Sequence, residues 1–191
     1  MGDDDAVQAA ARGGGALLRD PSEVTRALLG ALSERGFECS EAEIGGLAVP
    51  LAKRQEFRLR WMAIRLHVFV VVFALGELDL ETVERLTDAA QAYAIENKTG
   101  LRSGLQTGTA TIPVFLCPKT NEATEGWFAS EPKQPVYAAM RFPVLANLDT
   151  GSATFYSGRW SRGQIFAAYI RGIATDVVTP SLARVTPAQT S

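Results

Sequence analysis

The chain has 191 residues, 19 Lys and Arg against 21 Asp and Glu, a net charge of −2, and 47% hydrophobic residues. That balance excludes a global pull toward nucleic acid or an acidic membrane and leaves room only for a local basic patch. One histidine and two cysteines, Cys39 and Cys117, with no CxxC, fall short of a zinc site and of a disulfide framework.

The start, MGDDDAVQAAARGGG, is acidic and then small, with no apolar core of a signal peptide. Ala6 stands where a myristoylation signal wants Ser or Thr. Residues 1–19 have little to bury and are expected to be a disordered tail. A helix is predicted next. Asp20 is its N-cap and Pro21 its first residue, Val24, Leu28, Ala31 and Leu32 form its apolar stripe, and Gly36 ends it. The segment around Ile44, Leu47 and Val49 reads as one short strand or irregular edge, with Pro50 tolerated only at an edge or strand end. Phe57, Leu59, Trp61 and Ala63 alternate with Arg58, Arg60 and Met62, which predicts a half-buried strand. Residues 68–75 are apolar at every position, the mark of a central strand covered on both faces. That run is also far too short to span a membrane, which takes about 20 residues.

Asp79 opens the clearest helix, with Leu80, Val83, Leu86 and Ala90 on its buried face. A glycine-rich connector leads to an apolar strand at 109–117, and a short helical turn follows at NEATEGWFAS. A hairpin is predicted with its first strand ending at Asn147, its turn at Asp149-Thr150-Gly151, and its second strand running through Tyr156. The closing helix has Ser161 as cap, Ile165, Phe166, Tyr169, Ile173 and Val177 as core face, and Pro180 as stop. Residues 20–182 are therefore expected to form one globular domain, and 183–191 a frayed tail. The order α-βββ-α-β-(α)-ββ-α predicts an α+β fold: a single mixed sheet of five to six strands packed by three main helices.

That order is similar to the core order of PD-(D/E)XK nucleases. The resemblance implies a metal-binding Asp and an ExK pair on adjacent central strands. Residues 57–75, the corresponding stretch, hold no carboxylate. The ExK strings, Glu96-Asn97-Lys98 and Glu131-Pro132-Lys133, fall at a helix end and in a loop. The resemblance is confined to element order and implies a catalytically empty version of the fold.

The connector NKTGLRSGLQTGTATIPVFLC places Gly100, Gly104 and Gly108 at every fourth position. It has no Walker lysine and runs from a helix C-terminus into a strand, the wrong polarity for cradling phosphate. It reads as a structural link, with Arg102 and Gln106 as its candidate ligand contacts. No GxSxG occurs. His67, the sole histidine, lies in a strand and reads as a satisfied strand residue rather than a base.

The strongest positive signal is basic. Lys53, Arg54, Arg58, Arg60 and Arg65 crowd into thirteen residues with one acid, Glu56. Arg58 and Arg60 are expected on one strand face, with Arg65 nearby, able to meet phosphates or an acidic partner. Unpartnered, that face is solvated, or paired with acids of the 79–96 helix. In SGRWSRGQ, Arg159, Trp160 and Arg162 form a second candidate: an interface anchor, a base-stacking platform, or a plug at the sheet end.

The sequence therefore favours a binding, scaffold or accessory domain, oligomeric or docked to a protein partner, with no cofactor, no metal and no catalytic residue assigned. A nucleic-acid-associated domain is the alternative, and an enzyme with a scattered site the third reading. The two thiols read as reduced, fitting a cytoplasmic protein. Arginine outnumbers lysine 15 to 4, a bias that points to a GC-rich bacterial genome.

Overall fold

A computed structural model describes residues 18–61, 64–98, 107–134, 139–161 and 163–186, without the side chain of Arg60. The 1–17 part of the expected tail, Arg102, Gln106, Gly100, Gly104 and Arg162 lie outside the described residues.

The first helix, α1 (Pro21–Glu34), forms as its sequence predicts. The Asp20 carboxylate accepts from the Ser22 amide at 2.7 Å, and Val24, Leu28, Ala31 and Leu32 are buried. Strands β1 (Glu38–Ile44) and β2 (Leu47–Phe57) follow as an antiparallel hairpin rather than one short strand. Its turn is Gly45-Gly46, with φ of 62° and 80°. Two left-handed residues in a row are the signature of a tight hairpin turn, which glycine adopts without strain. Pro50 pairs with Glu41 of β1, and the β2–β3 ladder begins one residue later at Leu51. Its missing N–H therefore costs the central ladder nothing.

The predicted strand through Trp61 does not form. β2 stops at Phe57, and Leu59–Trp61 is a 3₁₀ turn before β3 (Arg65–Ala74). Trp61 is fully buried, whereas Phe57 and Leu59 are 52% and 82% exposed. Alternation mimicked a strand here, but a long-range partner decided the outcome. The Trp61 ring packs edge-on against Phe166 and Tyr169, with centroids 5.2 and 5.3 Å away.

The chain continues through α2 (Leu80–Asn97), β4 (Thr107–Cys117), α3 (Glu122–Ala129), β5 (Ala139–Arg141), β6 (Val144–Asn147) and β7 (Ala153–Thr154). Asp79 caps α2 through the Thr82 amide at 2.7 Å. The first strand of the predicted second hairpin is split in two at Phe142-Pro143, because Pro143 has no donor for the ladder. The Phe142 amide still reaches Thr111 of β4 at 2.8 Å. The returning strand is only two residues long, Ala153–Thr154, and does not continue to Tyr156.

All strands join one mixed, seven-stranded sheet in the order β1-β2-β3-β4-β6-β7, with β5 also beside β4. β2 runs antiparallel to both β1 and β3, whereas β3, β5 and β6 run parallel to β4. The fold is α+β, with helices on both faces. One face packs Leu66, Val68, Val70, Ile112 and Val114 against α1 and the C-terminal helices. The other packs Phe69, Val71, Phe73 and Phe115 against α2 and α3. The edge strand β1 exposes Glu38, Glu41 and Glu43, charges that discourage another strand from pairing there.

The closing segment departs from prediction at both ends. Its cap is Gly163, at φ 72°, not Ser161. Helix α4 (Gln164–Ile173) passes into a π turn (Ala174–Val178) and then α5 (Thr179–Arg184), so Pro180 does not stop it. Widening the helix by one residue per turn accommodates the proline ring, and helix packing continues through Leu182 to the buried Val185. Of the expected core face, Ile165 is instead 44% exposed.

Among the described residues no helix is long and apolar enough to cross a membrane, and no three His, Cys, Asp or Glu side chains gather to hold a metal ion. Both cysteines are free, Cys39 exposed on β1 and Cys117 buried at the end of β4.

Candidate functional site

The last residues of β2 face α4 in alternation. Arg54, Glu56 and the following Arg58 point one way, and they form a row in which the carboxylate is shared. Glu56 Oε2 meets Arg54 Nη2 at 2.8 Å, and its Oε1 meets Arg58 Nε at 3.0 Å. The Glu56 side chain is only 12% exposed. A carboxylate that deep is stable because two cations flank it, and in turn it fixes both guanidinium groups. Arg58 also lies over the rings of Trp61 and Tyr169, at 5.2 and 4.6 Å. The faces of those rings carry negative charge density and attract the cation.

A groove of about 370 Å³ opens between this row and α4, with Arg35, Arg54, Arg58, Tyr169 and Asp176 among its walls. Arg35 arrives from the end of α1. Its Nη2 donates to the Asp176 carbonyl at 3.0 Å. That carbonyl lies four residues before Pro180, which has no N–H to offer it, so the π turn leaves an acceptor that Arg35 takes. Arg54 Nη1 in turn donates to the Arg35 carbonyl. Tyr169 forms the floor. Burial raises its phenol pKa, and Glu56 adds to the rise while Arg54 and Arg58 oppose it, so the group is neutral and able to donate. Neither the Tyr169 hydroxyl nor the Trp61 indole nitrogen has a hydrogen-bond partner.

Of the residues singled out by sequence, Arg58 belongs to this groove. Arg65 does not: it pairs with Phe57 and Thr107 and falls on the α2 side of the sheet, with His67 and Phe69. The expected shared strand face therefore does not exist. Arg58 follows β2, Arg60 sits in the 3₁₀ turn, and Arg65 opens β3 on the other side. The acids that pair with the basic segment are Glu56 and Glu38 rather than those of α2. Arg159 is exposed, but Trp160 is only 3% exposed and packs on Phe142 at 5.5 Å, which makes it the plug. Glu56, the one carboxylate at the end of a central strand, is held by two arginines, unlike the metal-facing acid that a nuclease-like core implies. Arg35, Tyr169 and Asp176 carried no functional signal in the sequence. The basic run with its lone acid was the visible clue to Arg54 and Glu56.

The chain matches no described protein family, no curated protein and no solved structure.

Proposed function

We propose that this protein works by binding, as a scaffold or accessory domain that docks an acidic segment of a protein partner at the β2–α4 groove. The observation that carries this reading is the pairing of two features at one place. Arg54 and Arg58 are held rigid by Glu56, and the residue after Arg58, Leu59 of the 3₁₀ turn, stands 82% exposed. Ordered guanidinium groups suit carboxylates, since little side-chain entropy remains to be lost on contact. An exposed large apolar side chain next along the chain supplies the buried anchor that charge alone lacks.

Nucleic acid suits this surface less well. Trp160 is buried and cannot stack on a base, and Arg58 and Arg65 lie on opposite sides of the sheet. Fluorescence polarisation with synthetic acidic peptides, each carrying a central Leu or Phe, tests the proposal. Micromolar or tighter binding is expected, falling at least tenfold in Leu59→Asp and in Arg58→Glu and weakening with salt. Binding that both substitutions leave intact, or no binding by any acidic peptide, would overturn it. Light scattering of the purified protein separates a second copy as partner from a different chain.

A further inference from the structure

On the opposite side of the sheet, beyond the end of α2, a second cavity of about 420 Å³ opens over the β2–β3 ladder. Lys53 and Gln55 of β2, His67 of β3 and Asn97 at the end of α2 line it. Gln55 and His67 are directly paired across the strands. His67 is only 6% exposed. Next to it on β4, the fully buried Thr109 hydroxyl lacks a partner. A buried polar side chain without a partner costs free energy, so an unpartnered hydroxyl beside a histidine that lines a cavity marks a place prepared for something polar.

The charges around the ring decide what that is. Lys98, just past α2, and Arg65, on the same strand, both act on His67 as positive neighbours, and Lys53 faces it from β2. β4 contributes only uncharged threonines. The single carboxylate on the wall is Glu38 of β1, highly exposed and paired with Lys53 at 3.5 Å. The amides of Gln55 and Asn97 add N–H groups; Asn97 Nδ2 donates to the Tyr93 carbonyl at 2.9 Å and keeps its second hydrogen.

We propose that this cavity binds a small tetrahedral oxyanion, a phosphate-type group, through Lys53, Gln55, Asn97 and the imidazolium form of His67. The donors come from three different elements and converge from several directions, which suits a tetrahedral anion better than a planar carboxylate. Burial, then Lys98 and Arg65, hold the empty-site imidazole below its ordinary pKa. An anion in the cavity offsets those terms, so binding takes up a proton and strengthens as pH falls. The cavity shares Arg54 with the walls of the groove but opens on the other face, and its test leaves Arg54 in place, so its failure would leave the docking proposal untouched.

Because His67 is the only histidine, its imidazole signals in an NMR titration are unambiguous. The probe is sodium sulfate, whose charge is constant near neutrality, against sodium chloride at equal ionic strength and against sodium acetate. Saturable His67 shifts at millimolar sulfate are expected, with a titration midpoint displaced upward and weaker binding at higher pH. Lys53→Ala and Gln55→Ala, both at exposed positions, should each weaken sulfate binding about tenfold while the His67 signal persists. A drift no larger than that in chloride, saturation unchanged by both substitutions, or acetate binding as tightly as sulfate would each overturn the proposal.

Discussion

Ile112 and Thr111 are neighbours on β4, both fully buried, yet they meet different surroundings. Toward α1 and the C-terminal helices the strand presents Ala110, Ile112, Val114 and Leu116, packed in an apolar cluster. Toward α2 it presents Thr107, Thr109 and Thr111 before reaching Phe115. On α2 itself, Thr87 and Gln91 are buried, and the Thr87 hydroxyl, both amide atoms of Gln91 and the hydroxyls of Thr109 and Thr111 lack hydrogen-bond partners. Along β4 itself, one side thus has its polar needs met by having none. The other carries a strip of unmet ones running toward His67 and gains its packing from Phe73, Phe115 and Phe128 at the far end. Burial and satisfaction are separate properties, and only the first is equal on the two faces.

Substitution along β4 would break or sharpen this contrast. Ile112→Ala should cost about 2–5 kcal/mol, because the cavity it leaves is closed in by neighbours that cannot collapse. Urea unfolding gives that number, and a loss below 1 kcal/mol would mean the apolar face is loosely packed. Thr111→Val, next door and nearly isosteric, should move the other way. It removes a buried hydroxyl with no partner, a gain of about 1 kcal/mol in the same assay. A loss instead would show that the hydroxyl is satisfied in solution, and the two faces would then be alike.

The smallest effect belongs to His67. Its folded pKa is depressed by burial, then by Lys98 and Arg65. The unfolded chain therefore binds its proton first as pH falls. The histidine contributes its full share of stability above the ordinary value near 6.5, and that share is lost as pH drops through the depressed one. Thermal melts between about pH 7.5 and pH 5 should show a steeper decline in the wild type than in His67→Gln. Equal slopes would mean that the ring is solvated like any surface imidazole.

The same contrast explains what was readable in advance. α1 and α2 announce themselves through caps at Asp20 and Asp79 and a regular apolar stripe, and β3 through its uninterrupted apolar run. Local chemistry suffices for each. The difference between the faces of β4 was hidden, since a strand buried on both sides loses the alternation that would separate Thr from Ile. The 57–63 segment misled for the converse reason. Its alternation was perfect, but Trp61 is claimed by Phe166 and Tyr169, more than a hundred residues away. The groove follows the same rule. Arg54, Glu56 and Arg58 stood together in the sequence, whereas Arg35 meets the Asp176 carbonyl across 141 positions, and no spacing rule reaches that far.

The π turn at Ala174–Val178 can also be read as an insertion. Wound as an unbroken α-helix with the same number of residues, this turn would rotate everything after it by about 100°. Ser181, Leu182 and Val185, now buried, would swing off their seats. The wider winding of this one turn therefore keeps the last helix seated while the same turn lends Asp176 and Val177 to the wall of the groove.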